Sequence, residues 1–463
     1  HGMMGGKLYD GNDLVWFDLT KLADDPGKLP DPSDSGFTKL QKIGKIIKDI
    51  KNGKVNLDLG RLDIITDLDT PQNGINLNAP GIEREYGVLD IFYNGLVDDL
   101  CEEFPDRAVY FYSYDWRKSN SDSAVRLNNL INDVKVQTGY SKIDLVCHSM
   151  GGLVASNYVK RYGTSDVRYI ITLATPYEGS PEAISRIMMP LGQLYGFGEV
   201  AAEIAAKQGL TRELIAGLPS VSEAAPTERY FKSTKFLQIQ NREYLPIVED
   251  ITYEEYCDIM DLMFGNNYDS AVAFQNTIKD VLLDLDNTYF AVATCQPTIE
   301  KVRINKGTSL ETLDILSFKY RLRGDGTVPY ISATMGGLLP IKYEGVKDSA
   351  GNSRYREFKV SHTGILFHED ASLWVKNVLN QTSNPYEKSD KIDYPGYTVI
   401  RVACPIDVTI EVNGETLSSD PEMGSIYVSS GRLDFVGDGV SICLEDTGTV
   451  YDITIVGTGE GTM

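Results

Sequence analysis

Hydrophobic and polar positions along this 463-residue chain change their period several times. Apolar, β-branched runs at residues 108–114, 143–147, 169–174 and 288–293 read as strands, and shorter ones follow at 316–320 and 355–360. Over 91–101, 123–138 and 153–162 the apolar residues return every three or four positions, the spacing of one helix face. Strands alternating with helices predict a mostly parallel sheet covered on both faces. The strand rhythm lapses from about 180 to 288. Residues 183–217 are helical in pattern, rich in Ile, Met, Leu and Ala, and broken by Pro190, Gly192, Gly196 and Gly198. A long helical insertion after a central strand predicts a cap, and the pattern fits a moving lid and a fixed cover equally well. Near residues 380–390 the chain turns polar and reads as a linker. Beyond it, short alternating segments at 397–402, 408–412, 425–428 and 450–456 predict a small all-β sandwich. The expected division is a catalytic-type α/β domain over 1–380 with its cap at 180–288, a linker at 381–396, and a β domain over 397–463.

Composition narrows the partners. The chain is 42% hydrophobic and 24% charged, ordinary for a packed globular protein, and too long for one ordinary core. Its net charge of -22 argues against nucleic acid or an anionic membrane as the main partner and fits a secreted protein. No stretch approaches the ~20 apolar residues of a membrane span. Six cysteines show no C-x-x-C and no clustering with histidine, so no metal site is expected. Free thiols are expected too, with Cys404 and Cys443 the one pair placed to bridge. The chain opens at His1-Gly2 without a signal-like stretch, so a processed or trimmed terminus, or a strand missing ahead of it, is expected.

The most informative segment is Ile143-Asp144-Leu145-Val146-Cys147-His148-Ser149-Met150-Gly151-Gly152-Leu153-Val154. A strand stops at a serine, two glycines follow, and a helix begins. That is a nucleophile elbow, which lifts a hydroxyl clear of the sheet and aims helix-terminal N–H groups at it. Cys147 stands where the first glycine of G-x-S-x-G is usual, and it is small enough for that crowded position. A serine nucleophile needs a base, and the chain has four histidines. His1 is terminal, and His148 is an elbow neighbour that points away from the hydroxyl. His362 sits in a turn after a strand, where a base belongs, while His368 falls on the following helix. The acid should lie between serine and base, and Asp325 in Arg323-Gly324-Asp325-Gly326-Thr327-Val328-Pro329 is held in a tight glycine-flanked loop. The same Gly-Asp-Gly also suits a plain hairpin turn. For the oxyanion, the expected N–H donors are Met150 and, from the glycine-rich start His1-Gly2-Met3-Met4-Gly5-Gly6, Met3.

Five motifs in order carry a family resemblance: the His-Gly-Met-Met-Gly-Gly-Lys-Leu start, Tyr114-Asp115-Trp116-Arg117, the elbow, Ala174-Thr175-Pro176-Tyr177-Glu178-Gly179-Ser180, and Gly-Asp-Gly-Thr-Val-Pro. With a cap-like segment at 217–226, residues 1–380 resemble the lecithin–cholesterol acyltransferase-like branch of the α/β-hydrolases. The resemblance implies an α/β-hydrolase fold with a helical cap, and a triad of Ser149, Asp325 and His362. Trp116 follows a strand at the sheet's carboxyl edge, where it either lines an acyl pocket or serves loop architecture. The C-terminal part is similar in general style to β-rich modules of secreted bacterial enzymes, which implies an extracellular, bacterial setting and a surface or polymer as partner. The expected activity is hydrolysis of acyl-lipid esters through an acyl-enzyme, without cofactor or metal. Acyl transfer to an alcohol is the alternative, and a surface-binding protein on a retired hydrolase scaffold is the alternative of another class.

Overall fold

The computed structural model describes residues 1, 3, 8–10, 13–16, 74–79, 90–188, 211–240, 248–382, 396–402, 406–412, 414–420, 423–424, 427–428, 431–436, 439–446 and 451–457. A hairpin, β1 (Leu8–Asp10) and β2 (Asp13–Trp16), comes first. Then follow α1 (Asp90–Glu103), α2 (Asn120–Thr138), β3 (Ile143–His148), α3 (Gly151–Tyr162), β4 (Val167–Leu173) and α4 (Pro181–Met188). Next are α5 (Arg212–Ala216), α6 (Pro219–Glu223), α7 (Glu228–Thr234), β5 (Leu237–Gln240), β6 (Val248–Asp250), α8 (Tyr253–Phe264) and α9 (Asn267–Ile278). The chain continues through β7 (Thr288–Thr294), β8 (Thr298–Ile304), β9 (Ile315–Arg321), α10 (Tyr330–Ala333), α11 (Leu338–Tyr343), β10 (Tyr355–Lys359) and α12 (Glu369–Asn380).

A parallel sheet in the order β10-β7-β4-β3 forms the centre. The inner strands β4 and β7 are the most buried, β7 along its whole length, because both faces are covered. Along β7, Phe290 and Val292 join a core shared with Leu127 and Ile131 of α2 and Leu153 and Tyr158 of α3. Tyr289, Ala291 and Ala293 face the opposite way, into a core with Tyr93 and Leu96 of α1 and Trp374 and Val378 of α12. The period of two thus sorts one strand between two helical layers. The architecture is that of an α/β-hydrolase followed by an all-β part.

Two expectations differ from what forms. Residues 108–114 run extended, yet they make only an isolated bridge, Tyr110 with Asn76, and accept Leu77 N–H at Val109 O (2.8 Å). A cavity of about 680 Å³ is lined both by Val109 and Phe111 and by Leu145 and Cys147 of β3, so the two backbones form no ladder. The insertion at 180–288 is not wholly helical either. β5 pairs in parallel with β8 (Leu237 with Val302, Ile239 with Ile304) in a second sheet of order β6-β5-β8-β9. Four residues are too few to show a period, and their partner lies some sixty positions on. Residues 189–210, with the breaks at Pro190, Gly192, Gly196 and Gly198, lie outside the described residues, as do Cys404 and most of the expected linker.

The insertion is fastened to the sheet domain through a buried carboxylate. Glu223, at the end of α6, accepts from Ser119 Oγ (2.5 Å), Asn120 N (2.7 Å) and Asn120 Nδ2 (2.7 Å) at the start of α2. Burial pushes its carboxyl up, against the pull of these donors. From α9, Gln275 Nε2 donates to Ala225 O (2.8 Å), just past α6.

The C-terminal strands are β11 (Gly396–Val402), β12 (Ile406–Val412), β13 (Glu415–Ser418), β14 (Tyr427–Val428), β15 (Gly431–Val436), β16 (Gly439–Asp446) and β17 (Ile453–Gly457). They form two antiparallel sheets, β11-β16-β15-β14 and β13-β12-β17, around Val408, Ile410, Leu433, Ile442 and Leu444. Both β15 and β16 lie against β9. The five described cysteines, Cys443 among them, form no disulfide with one another.

Replacing Glu223 with Ala would strand the buried donors of Asn120 and unfasten α6 from α2. A loss of about 2 kcal/mol in unfolding free energy is expected, read by urea denaturation. A change under about 0.5 kcal/mol would mean that this contact does not hold the insertion.

Candidate active site

Strand β3 ends at His148 and α3 begins at Gly151, leaving one tight turn with Ser149 at its apex. Ser149 adopts φ 54, a left-handed conformation that side-chain-bearing residues rarely take. Its amide donates to Leu173 O (2.9 Å), and its carbonyl accepts from Gly152 N (3.0 Å). A Cβ on Gly152 would stand 2.1 Å from Thr175 Oγ1, so that position admits only glycine. Cys147, in the place of the first glycine of G-x-S-x-G, is buried, and burial pushes its thiol up to about 11. It is a neutral, compact core side chain.

His362 lies just beyond β10, at the carboxyl edge of the same sheet. Its Nε2 is 2.9 Å from Ser149 Oγ and its Nδ1 is 2.7 Å from Asp325 Oδ2. The backbone repeats the link, since His362 N donates to Asp325 O (2.8 Å). Asp325 is buried in the loop after β9, and its Oδ1 accepts from Thr327 N (2.9 Å) and Val328 N (2.6 Å). Gly326 takes φ +93, and Gly324 stands where a Cβ would be 2.4 Å from Thr298 Oγ1. The flanking glycines therefore shape a closed loop whose carboxylate turns inward rather than to solvent.

His148 has a role the sequence did not reveal. Its Nε2 is 2.9 Å from the carbonyl oxygen of His362, and its Nδ1 is 3.1 Å from Tyr93 Oη. A carbonyl only accepts, so Nε2 carries the proton and Nδ1 accepts from the tyrosine. Burial first, and then the facing His362, hold this imidazole well below its ordinary pKa. The neutral ring braces the backbone of His362 from behind. The pairing joins positions 214 apart, which no local pattern signals. His368, the other candidate base, stands at the residue before α12 without a side-chain cap bond and packs edge-on to Phe358 (5.7 Å).

The remaining expected site residues surround the turn. Met150 is buried at the head of α3, and Met3 is partly buried against the main core. Most of the glycine-rich loop beside Met3 lies outside the described residues. Trp116 is 1% exposed within that core, and its neighbours Asp115 and Arg117 form an ion pair at 2.6 and 2.8 Å. Among the described residues, no group of three or more His, Cys, Asp or Glu is arranged to hold a metal ion, and no helix is long and apolar enough to cross a membrane.

With this geometry in view, residues 91–286 match the family model described as lecithin:cholesterol acyltransferase. This stretch is lecithin:cholesterol acyltransferase-like. It takes in the elbow and most of the insertion, and it ends before Asp325 and His362. A phospholipase A(1), LCAT3 of Arabidopsis thaliana, is 33% identical over 87 residues, 17% of this chain and 18% of that relative. The matched part thus spans less than a fifth of the relative's length. Among solved structures, the Tle4-Tli4 complex has a TM-score of 0.43 at 15% identity, covering 82% of this chain and 96% of that one. The lipase BlEst2 of Bacillus licheniformis in its propeptide form has a TM-score of 0.33 at 12% identity, covering 77% and 67%. Within the lecithin:cholesterol acyltransferase-like stretch, the loop after β4 is tied down at both ends. Tyr177 Oη donates to Thr172 Oγ1 (2.8 Å), and buried Glu178 pairs with Arg229 of α7 (2.9 Å).

The buried neutral His148 ties stability to pH. Its folded pKa lies below its unfolded value, near 6.5, so the unfolded chain takes up a proton that the folded one refuses. The stabilisation is complete above about pH 6.5 and is lost as pH falls toward the folded value, by up to about 1.4 kcal/mol per pH unit. Urea unfolding between pH 7.5 and 5 should show a shallower decline for His148→Asn than for the wild type. Parallel declines would contradict this role.

Proposed function

We propose that this chain is a serine carboxylic-ester hydrolase acting on acyl lipids. The observation that carries the reading is the unbroken path Ser149 Oγ, His362 Nε2, His362 Nδ1, Asp325 Oδ2, with steps of 2.9 and 2.7 Å at the carboxyl edge of a parallel sheet. His362 takes the Ser149 proton as the oxygen attacks the ester carbonyl. Asp325 keeps Nδ1 protonated and stabilises the imidazolium that forms. The N–H of Met150, at the head of α3, and that of Met3 are assigned to the oxyanion. His362 then protonates the departing alkoxide, and water activated by the same imidazole releases the acid from Ser149. Trp116, in the same core as Met150 and Leu153, is read as part of the wall behind the acyl chain. The acidic composition supports work outside the cell.

The family description favours a second outcome from the same acyl-enzyme, transfer of the acyl group to an alcohol instead of water. The two differ only in the second nucleophile.

On p-nitrophenyl esters of graded chain length, Ser149→Ala should abolish turnover to the background rate. Asp325→Asn should lower kcat by about ten-thousand-fold, because the imidazole then favours the wrong tautomer. Turnover by Ser149→Ala equal to the wild type would refute the assignment. A long-chain alcohol added to the assay distinguishes the second outcome by the appearance of a new ester.

A further inference from the structure

Strand β15 carries an arginine with 0% exposure, and among the described residues it donates hydrogen bonds to three, from three parts of the chain. Arg432 Nε and Nη2 donate to Asp434 of the same strand at 2.6 and 2.7 Å. The guanidinium also donates to the Glu182 carboxylate at the start of α4 and, through Nη1, to the backbone carbonyl of Gly326. Its Cζ lies 5.7 Å from the ring centroid of Tyr320 on β9. Burial pushes the Asp434 carboxyl up while Arg432 opposes it.

The Gly326 carbonyl matters because of what shares its peptide plane. That carbonyl and the amide of Thr327 are the two ends of one planar unit. Its oxygen end accepts from Arg432, and its nitrogen end donates to Asp325 Oδ1 at 2.9 Å. Gly326 has φ +93 and no side chain to resist rotation, so this is the peptide of the loop most free to turn over. Turning it would remove an N–H from the carboxylate and bring a carbonyl's negative end toward it. A buried cation on the oxygen opposes that rotation and, by polarising the peptide, strengthens the bond from its N–H. Thr298 Oγ1 holds the preceding amide, Gly326 N, at 2.9 Å.

We propose that Arg432 is a positioning residue for Asp325, so that the C-terminal β part is a working component of the catalytic centre rather than an appendage. This rests on the hydrolase reading, and the test separates the two. Arg432→Lys keeps a positive charge between Glu182 and Asp434 but cannot reach all three partners at once. Its kcat on a p-nitrophenyl ester should fall about 10- to 100-fold with KM within about two-fold of wild type. The acidic limb of its kcat/KM profile should move to lower pH, because a loosened Asp325 stabilises the imidazolium less. Ile442→Ala, a cavity in the β part's own core, should lower the melting temperature and leave kcat within about two-fold below that temperature. Asp434→Asn, isosteric, reads the same effect if Arg432→Lys does not fold. An inactive wild type would sink the hydrolase reading itself. An active wild type, a dead Ser149→Ala, and Arg432→Lys or Asp434→Asn with unchanged kcat and profile would overturn the role of Arg432 alone. So would Arg432→Lys and Ile442→Ala losing kcat in parallel, which is what a merely structural role produces.

Discussion

Where Ser149 and the groups around it can stand depends on how closely α3 packs behind Ser149. Gly152 has no space for a Cβ against Thr175, so the chain must pass from strand to helix in one turn. That turn puts Ser149 in a left-handed conformation at a cost of about 1 kcal/mol or more, held by its bonds to Leu173 and Gly152. The strain is useful because it lifts Oγ above the sheet edge. The parallel register then does the rest, with His148 beside Leu173 and Leu173 beside Ala291. Strands that run the same way end at the same edge, so the loop after β10 delivers His362 to the level of the serine.

What the sequence made legible follows from how local each device is. The elbow is local: strand, serine, glycines and helix are contiguous, and Cys147 was readable as a small residue because that position asks only for small volume. Asp325 was readable because its glycines are adjacent, and His362 because only four histidines compete. Other features were hidden by distance. β5 becomes a strand by pairing with β6 and β8, and His148 acquires its task only from Tyr93 and a carbonyl beyond β10. Residues 108–114 show the converse, since a strong strand pattern forms no ladder where a cavity separates it from β3. Pattern states what a segment is suited to, and pairing decides what it becomes.

Three buried carboxylates in this molecule stand at junctions between separate parts of the chain. Glu178, Glu223 and Asp434 are each pushed up by burial, and Asp434 is met by Arg432, which itself reaches Glu182 and Gly326. Glu178 joins the loop after β4 to α7 through Arg229 and Thr227, and Glu223 joins α6 to α2. Charges that must be neutralised in a low-dielectric interior accept few alternative geometries, so they fix how parts meet more than they add net stability.

That arrangement bears on Asp325, the member of the proposed triad that no strand of the central sheet carries. Ser149 and His362 follow strands β3 and β10 of the central sheet, whereas Asp325 follows β9, at the end of the second sheet, with β8 as its strand neighbour there. The loop still touches the central sheet at one point, since Asp325 makes an isolated parallel bridge with Gln296, just past β7, and Gln296 N donates to Gly324 O (2.8 Å). Contacts on β9 and on the loop itself add to that bridge. The backbone bond from His362 and the side chain of Thr298 act from the hydrolase side, and Ser180 Oγ donates to Thr327 O at 2.5 Å. On the other side β15 and β16 lie against β9, and Arg432 reaches past it to the peptide that faces the carboxylate. A loop joined to the central sheet by a single bridge leaves room for a further brace, and a β part packed on β9 is placed to provide one.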